Sequence, residues 1–280
     1  MERAAIAALR TPRFEMVPMR GVEEAIDHLP QGAIVTVTCS PTHGFDATVP
    51  LVRELRRRGH PTVPHLAARM VEGPDHLAQL IDTFDELGVN DVFVIAGDAE
   101  TPRGPYDGAL GLLEAMHDNG HPFEQIGITG YPERHAVIPD TQTIAAMADK
   151  ARFATYIVSQ ICFDATTVEE WIAAMRARGI DLPLHIGIPG VVDRTRLLRI
   201  SGRIGLRDAA RFLTKQAGVA VRAAVGYTPD RLIDGLTDVF ERPESRIVGW
   251  HVFSFNEIAR TNKWRTALLA RRLEEEKETG

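Results

Sequence analysis

The chain has 280 residues, of which 44% are hydrophobic and 25% charged, and its formal net charge is −6. A chain of this length can bury a large core, and single α/β barrels of this size are common. The basic residues are scattered along the chain, which argues against nucleic acid or an anionic membrane as the main partner.

The cysteine content and the N-terminus indicate a cytoplasmic protein. Cys39 and Cys162 are too few for a disulfide framework or a multi-thiolate metal site, a pattern typical of a reducing compartment. The N-terminus has no secretory apolar region, and no apolar run approaches the ~20 residues of a membrane span. We expect a cytoplasmic protein, with no obligate protein partner evident from the sequence.

Short apolar runs recur along the whole chain. They are rich in β-branched residues, continuous rather than alternating, and bounded by Gly, Pro, Asn or Asp. This pattern predicts strands that are buried on both faces. The eight runs cover 14–18, 33–40, 61–67, 91–97, 125–132, 156–163, 183–189 and 247–255.

The segments between the runs have helical spacing of apolar residues, as in "DATVPLVRELRRRG" and "DHLAQLIDTFDELGVN". Eight strand–helix units favour a single (β/α)8 barrel over residues 1–280, rather than an open doubly wound sheet. The longer gap before the last strand predicts extra helices from the patterns "RTRLLRISGRIG", "LRDAARFLTKQAG" and "TPDRLIDGLTDVF".

Polar residues occur near the carboxyl ends of these predicted strands, where the active sites of (β/α)8 barrels lie. A carboxylate inside the lumen is costly unless it is paired, solvated or protonated. Glu15 falls within strand 1 and Gln160 within strand 6, whereas strands 2, 3, 4, 5 and 8 are predicted to end at Thr38, His65, Asp98, Tyr131 and Asn256.

Each of these residues also has a structural interpretation. Glu15 could point outward, and Asp98 is as typical of a loop cap as of a site. The amide of Gln160 needs partners, which favours a ligand-facing role. His65 fits either a pocket or a core histidine, and no metal site is predicted because no third ligand follows His60 and His65.

A nucleophile–base pair of Cys39 with His43 is disfavoured by the Pro-containing turn between them and by the lack of an orienting acid. A buried structural thiol is the favoured interpretation of Cys39.

The strand ends, taken together, resemble those of the methylenetetrahydrofolate reductases. The resemblance extends from about residue 12 to 265, and "GYPERH" with "AGDAE" carries most of its weight. The matching segments are "RFEMVP", "VTVTCSP", "PHLAARM", "ELGVNDVFVIAGDAE", "IGITGYPERH", "VSQICFD", "IPGV" and "HVFSFN".

The resemblance implies a barrel that reduces 5,10-methylenetetrahydrofolate to 5-methyltetrahydrofolate with electrons from a reduced nicotinamide. It implies that Glu15 is the general acid and Asp98 the carboxylate beside the pterin. Opening the methylene bridge requires a proton on N10, and the 5-iminium cation requires negative potential. Burial favours the protonated form of Glu15, while Asp98 near solvent stays ionised.

The resemblance also implies binding positions. The substrate would contact Gln160, Asp98, Leu197 and Asn256. The positions that usually contact the FAD cofactor are Thr38, His65, Gly97, Tyr131, His135 and Lys150.

The sequence departs from the family pattern at flavin positions. The usual Arg-Gly-Asp after strand 4 is Ala96-Gly97-Asp98, which removes a cation. The usual Ala-Gly-Ala turn before strand 6 is replaced by "RFAT" at 152–155. Thr143 stands at the start of the preceding helix, where the family pattern has an acid.

From these departures we hypothesise that FAD binding is weak or absent and that NADH or NADPH passes hydride directly to the folate. The alternatives are a tetrahydrofolate-dependent methyltransferase or demethylase on the same barrel, and a folate-binding protein without catalysis.

Overall fold

The computed structural model of the chain describes residues 2–133, 140–192 and 228–279. Eight parallel strands close into a barrel in sequence order, with β1 paired to β8. This confirms the predicted (β/α)8 fold. The strands are β1 Arg13–Met16, β2 Ile34–Val37, β3 Thr62–Ala67, β4 Asp91–Ile95, β5 Gln125–Gly130, β6 Tyr156–Ile161, β7 Leu184–Pro189 and β8 Ile247–Phe253.

Helices cover the outside of the barrel in the described ranges. They are α1 Ala4–Ala7, α2 Val22–Ile26, α3 Gly44–Arg57, α4 Pro74–Glu86, α5 Ala109–Asn119, α6 Asp140–Ala151, α7 Ala165–Arg176, α8 Asp230–Phe240 and α9 Ile258–Thr279, with 3-10 turns at Ala8–Arg10, Ala68–Met70 and Pro243–Ser245. None of these helices is long and apolar enough to cross a membrane.

Helix α8 confirms the last of the helical patterns predicted between strands 7 and 8. The first two patterns fall on residues 194–218, which lie outside the described residues, as do His135 and Leu197.

Helix α4 shows how the local sequence specifies these helices. Pro74 begins it, where a missing N–H costs no helical hydrogen bond, and Asp75 complements the positive end of the helix. Gly88 follows it at φ +67, a left-handed conformation typical of helix ends. The buried face repeats at helical spacing and joins the hydrophobic core: Leu77, Leu80, Ile81 and Phe84.

The barrel has a second, smaller core inside its lumen, formed by Val63, Phe93, Tyr156 and Val158. Glycine makes room for the large rings there. A Cβ on Gly127 would lie 2.4 Å from the Tyr156 ring. The lumen is therefore filled by side chains, and polar groups inside it are shielded from solvent.

Candidate active site

Strand β1 directs the carboxyl group of Glu15 into the lumen. Glu15 Oε2 lies 3.3 Å from His251 Nε2 on β8 and 3.8 Å from His65 Nε2 on β3. The Glu15 side chain is 12% exposed, and the side chains of the two histidines are 1% and 5% exposed. An outward orientation of Glu15 is therefore excluded.

His65 lies deeper than predicted. The prediction that it ends strand 3 is wrong, because Leu66 and Ala67 continue the ladder against β4. Its ring packs edge-on against Phe93, with ring centroids 4.9 Å apart. Burial lowers the pKa of His65 to about 4; the Glu15 carboxylate opposes this shift and His251 adds to it. His65 is consequently a neutral histidine at pH 7.

The residues after β8 hold the main chain at Glu15 and just beyond the end of β1. The Ser254 hydroxyl donates a hydrogen bond to the Glu15 carbonyl oxygen. Asn256 Oδ1 accepts from Val17 N at 2.9 Å, and Asn256 Nδ2 donates to Val17 O at 2.9 Å. Asn256 thus has a positioning role for β1, and its predicted contact with substrate stays a prediction.

The loop after β4 carries Asp98 to the open end of the barrel. Gly97 adopts φ +86, and a Cβ there would lie 3.0 Å from Ala67 Cβ, so this turn requires glycine. Asp98 is exposed. Burial raises the pKa of Tyr131, which follows β5; a hydrogen bond with Thr129 opposes this shift and the nearby Asp98 carboxylate adds to it. Asp98 and Tyr131 therefore share one side of the mouth.

Gln160 lies in β6 at an irregularity in the pairing with β7, between Val158 and Ile161. Its side-chain oxygen accepts a hydrogen bond from Ile161 N at 2.9 Å. Because this bond uses the amide oxygen, the NH₂ group of the partly buried Gln160 is the part of the side chain that can donate to a ligand. Thr38 directly follows β2, and its N–H donates to Met16 O at 3.0 Å.

Comparison with known proteins connects this barrel mouth to a family. A family model described as methylenetetrahydrofolate reductase matches residues 11–207. The chain belongs to the methylenetetrahydrofolate reductase family. The matched range includes Glu15 in the lumen, Asp98 at the mouth and Gln160 in β6.

Two solved structures are similar to this chain at low identity. An uncharacterized protein from Clostridium thermocellum that binds two copies of 5-methyl-5,6,7,8-tetrahydrofolic acid has a TM-score of 0.65 at 12% identity, covering 91% of this chain and 95% of that chain. A protein from Aquifex aeolicus VF5 has a TM-score of 0.42 at 13% identity, covering 86% of this chain and 98% of that chain. The first similarity shows the fold alone, and the second carries no argument.

Lys150 is not among the residues that the structure gathers at the mouth. It lies in the last turn of α6, which leads to the N-terminal end of β6. At that end, Thr155 N donates a hydrogen bond to Ile126 O. Burial lowers the pKa of Lys150 to about 8, and no carboxylate of the described residues forms an ion pair with it. Its predicted cofactor contact stays a prediction.

The end of β4 does not supply the cation expected at a flavin site of this family. Ala96 is exposed and offers neither charge nor a side-chain hydrogen bond. The guanidinium of Arg69 donates to Asp107 O at 2.8 Å and to Ala99 O at 3.0 Å, so it holds the loop together. Arg103 stands elsewhere on the rim, 3.8 Å from the position of a Cβ on Gly44.

Bulky side chains occupy the segment before β6, where the family resemblance implies glycine. Phe153 is partly buried against the core. The guanidinium carbon of Arg152 lies 4.6 Å from the centroid of its ring, and the His117 ring lies 5.5 Å away. This segment leads into the N-terminal end of β6, opposite the mouth, so its bulk gives no argument about a flavin there. At the mouth, the uncharged Ala96 is the residue that does not fit the anionic chain of the flavin as the family pattern would.

Sequence reasoning missed His251 and a second polar layer nearer the N-terminal end of the lumen. In that layer Arg13 pairs with Asp91 at 3.0 Å, and Tyr156 donates to Asp91 Oδ1 at 2.7 Å. Arg13 is two residues before Glu15, so both side chains face the same side of β1; with the inward direction of Glu15 fixed, this spacing would have found the layer.

Both cysteines are buried and unpaired. Burial raises the pKa of Cys39 to about 11, with a hydrogen bond to Thr48 opposing it. A thiol of this kind is unreactive at neutral pH, which fits the structural role predicted for Cys39.

Proposed function

We propose that the protein reduces 5,10-methylenetetrahydrofolate to 5-methyltetrahydrofolate with NADH or NADPH as the hydride donor. The observation that carries the proposal is the partly buried carboxyl group of Glu15 in the lumen, beneath a mouth that presents Asp98, in a member of the methylenetetrahydrofolate reductase family. Two carboxyl groups in such different surroundings can divide acid and electrostatic roles.

Glu15 supplies the proton in this proposal. The bond between N10 and the methylene carbon breaks, N10 takes the proton from the Glu15 carboxyl group, and a 5-iminium cation remains. General acids of this kind contribute roughly 10²- to 10⁴-fold to the rate.

Asp98 stabilises the cation and Gln160 orients the ring. The exposed Asp98 carboxylate lies at the rim, where negative potential lowers the energy of the iminium ion. Gln160 offers its NH₂ group to an acceptor atom of the pterin. Hydride from the reduced nicotinamide then reaches the methylene carbon, giving the N5-methyl group and the oxidised nicotinamide.

We further propose that this hydride transfer proceeds without flavin. The support is the uncharged Ala96 directly after β4 and the engagement of Arg69 within its own loop. The absorbance spectrum of the purified protein tests this point. Visible flavin bands at one equivalent per chain, or activity only after FAD is added, would refute it.

The activity is tested by oxidation of NADH or NADPH that depends on methylenetetrahydrofolate. We expect Glu15→Gln to lower kcat by about 100-fold or more while leaving the folate Kd within about threefold of wild type. Glu170→Gln, an exposed position on α7, is the matched control and keeps wild-type kcat. Near wild-type turnover of Glu15→Gln would contradict the acid assignment.

A tetrahydrofolate-dependent methyltransferase or demethylase is the second candidate. Tetrahydrofolate binding by the Clostridium thermocellum protein supports folate as the ligand class and suits this candidate as well. Such an enzyme uses the folate pocket but does not oxidise NADH or NADPH, so the same assay separates the two. A folate-binding protein without catalysis would show affinity and no turnover.

A further inference from the structure

Strand β8 and the residues after it hold the proposed acid at several points. Ser254 and Asn256 bond the main chain at Glu15 in β1 and at Val17 just after it. His251 contacts the Glu15 side chain itself, with 3.3 Å between Nε2 and Oε2. The backbone of β1 is thus fixed to β8, and His251 sets the direction of the carboxyl group.

The protonation states of the two residues are linked by this hydrogen bond. A carboxylate can only accept, so after Glu15 has lost its proton the bond requires a proton on His251 Nε2. His251 Nδ1 has no hydrogen-bond partner among the described residues. The buried His65 also faces Oε2, but at 3.8 Å it is too far to donate a hydrogen bond.

We propose that His251 is a positioning residue for Glu15, and this inference rests on the proposed function. Its Nε2–H donates to Oε2, which leaves the acidic proton of Glu15 on Oε1. When the Oε1–H bond breaks and the N10–H bond forms, the negative charge left on the carboxyl group is stabilised by the same donor. His251 keeps its Nε2 proton throughout and transfers none to the substrate.

Three substitutions separate this role from simple packing. In His251→Gln the amide nitrogen takes the place of Nε2, in His251→Asn it takes the place of Nδ1, and His251→Leu has no donor. We expect kcat to fall about 10- to 100-fold in the Asn and Leu variants, because each loses one charge-assisted hydrogen bond. In the Gln variant, kcat should stay within about fivefold of wild type. The KM for folate stays within about threefold in all three.

His185→Gln is the matched control. His185 lies in the same lumen on β7, and its Nδ1 has no hydrogen-bond partner among the described residues. We expect this variant to keep wild-type kcat. A His251→Leu variant with wild-type kcat would overturn the proposal, as would an equal loss in the Gln, Asn and Leu variants.

A measurement on the wild-type protein without substrate keeps this inference separate from the activity. The ¹⁵N chemical shifts of His251 report which ring nitrogen carries the proton. We expect a proton on Nε2, and a ring protonated on Nδ1 alone would overturn the proposal. If the wild-type protein fails to oxidise NADH or NADPH, the proposed function fails, but the NMR result still decides the role of His251.

Discussion

The ion pair between Arg13 and Asp91 predicts a large and non-additive effect on stability. Their side chains are 11% and 12% exposed, and the Arg13 guanidinium carbon lies 4.3 Å from the centroid of the Tyr156 ring. Asp91→Leu leaves a guanidinium in the lumen that cannot lose its proton and has lost the partner of its Nη1, while Nε of Arg13 has no hydrogen-bond partner among the described residues. Removing one partner of such a pair costs about 3–5 kcal/mol.

The reverse substitution is expected to cost less. Burial raises the pKa of Asp91, with Arg13 and the hydrogen bond from Tyr156 opposing it, so in Arg13→Met the carboxyl group can take up a proton and lose its charge. The double variant Arg13→Met/Asp91→Leu removes both charges. We expect its unfolding free energy to lie within about 2 kcal/mol of wild type, because apolar replacement of a buried pair is often close to neutral.

The assay is a double-mutant cycle measured by urea denaturation, with the midpoint and the slope compared for each variant. Asp181→Leu, an exposed position after α7, is the control and should change the unfolding free energy by about 0.5 kcal/mol or less. If the double variant loses as much stability as the two single variants combined, the uncompensated charge is not the cause, and the reasoning is refuted.

Other predictions concern groups in the lumen and the helix layer. Since the pKa of His65 falls from 6.5 to about 4 on folding, the unfolding free energy should drop by up to about 3 kcal/mol as the pH falls from 6.5 to 4. In denaturation at several pH values, His65→Gln should flatten this dependence on pH. An unchanged dependence would contradict the prediction. Burial lowers the pKa of Lys150 from 10.5 to about 8, so Lys150→Met should raise the unfolding free energy at pH 7 by up to about 3 kcal/mol. That gain should shrink between pH 8 and 10.5, and a gain independent of pH in thermal melts would count against desolvation. Gly187→Ala places a Cβ 2.5 Å from Ser159 O and 2.6 Å from the Phe253 ring, and we expect a loss of about 3 kcal/mol; a wild-type melting temperature by circular dichroism would disprove the clash.

The sequence by itself determined the barrel and the position of each strand to within a few residues. Continuous apolar runs with β-branched residues, separated by helical patterns, have one compact arrangement that buries both faces of every strand. Because barrel sites lie at the carboxyl ends of strands, it also placed Asp98 and Tyr131 on the rim, where the structure brings them together.

The tertiary structure alone decided which way the lumen residues point and what they contact. A strand buried on both faces lacks the polar alternation that would show its inward side, so the orientation of Glu15 and the depth of His65 stayed open. His251 contacts Glu15 across 236 residues of sequence, and Tyr156 contacts Asp91 across 65. These contacts depend on closure of the barrel and on its register, which arise from the packing of all eight strands together.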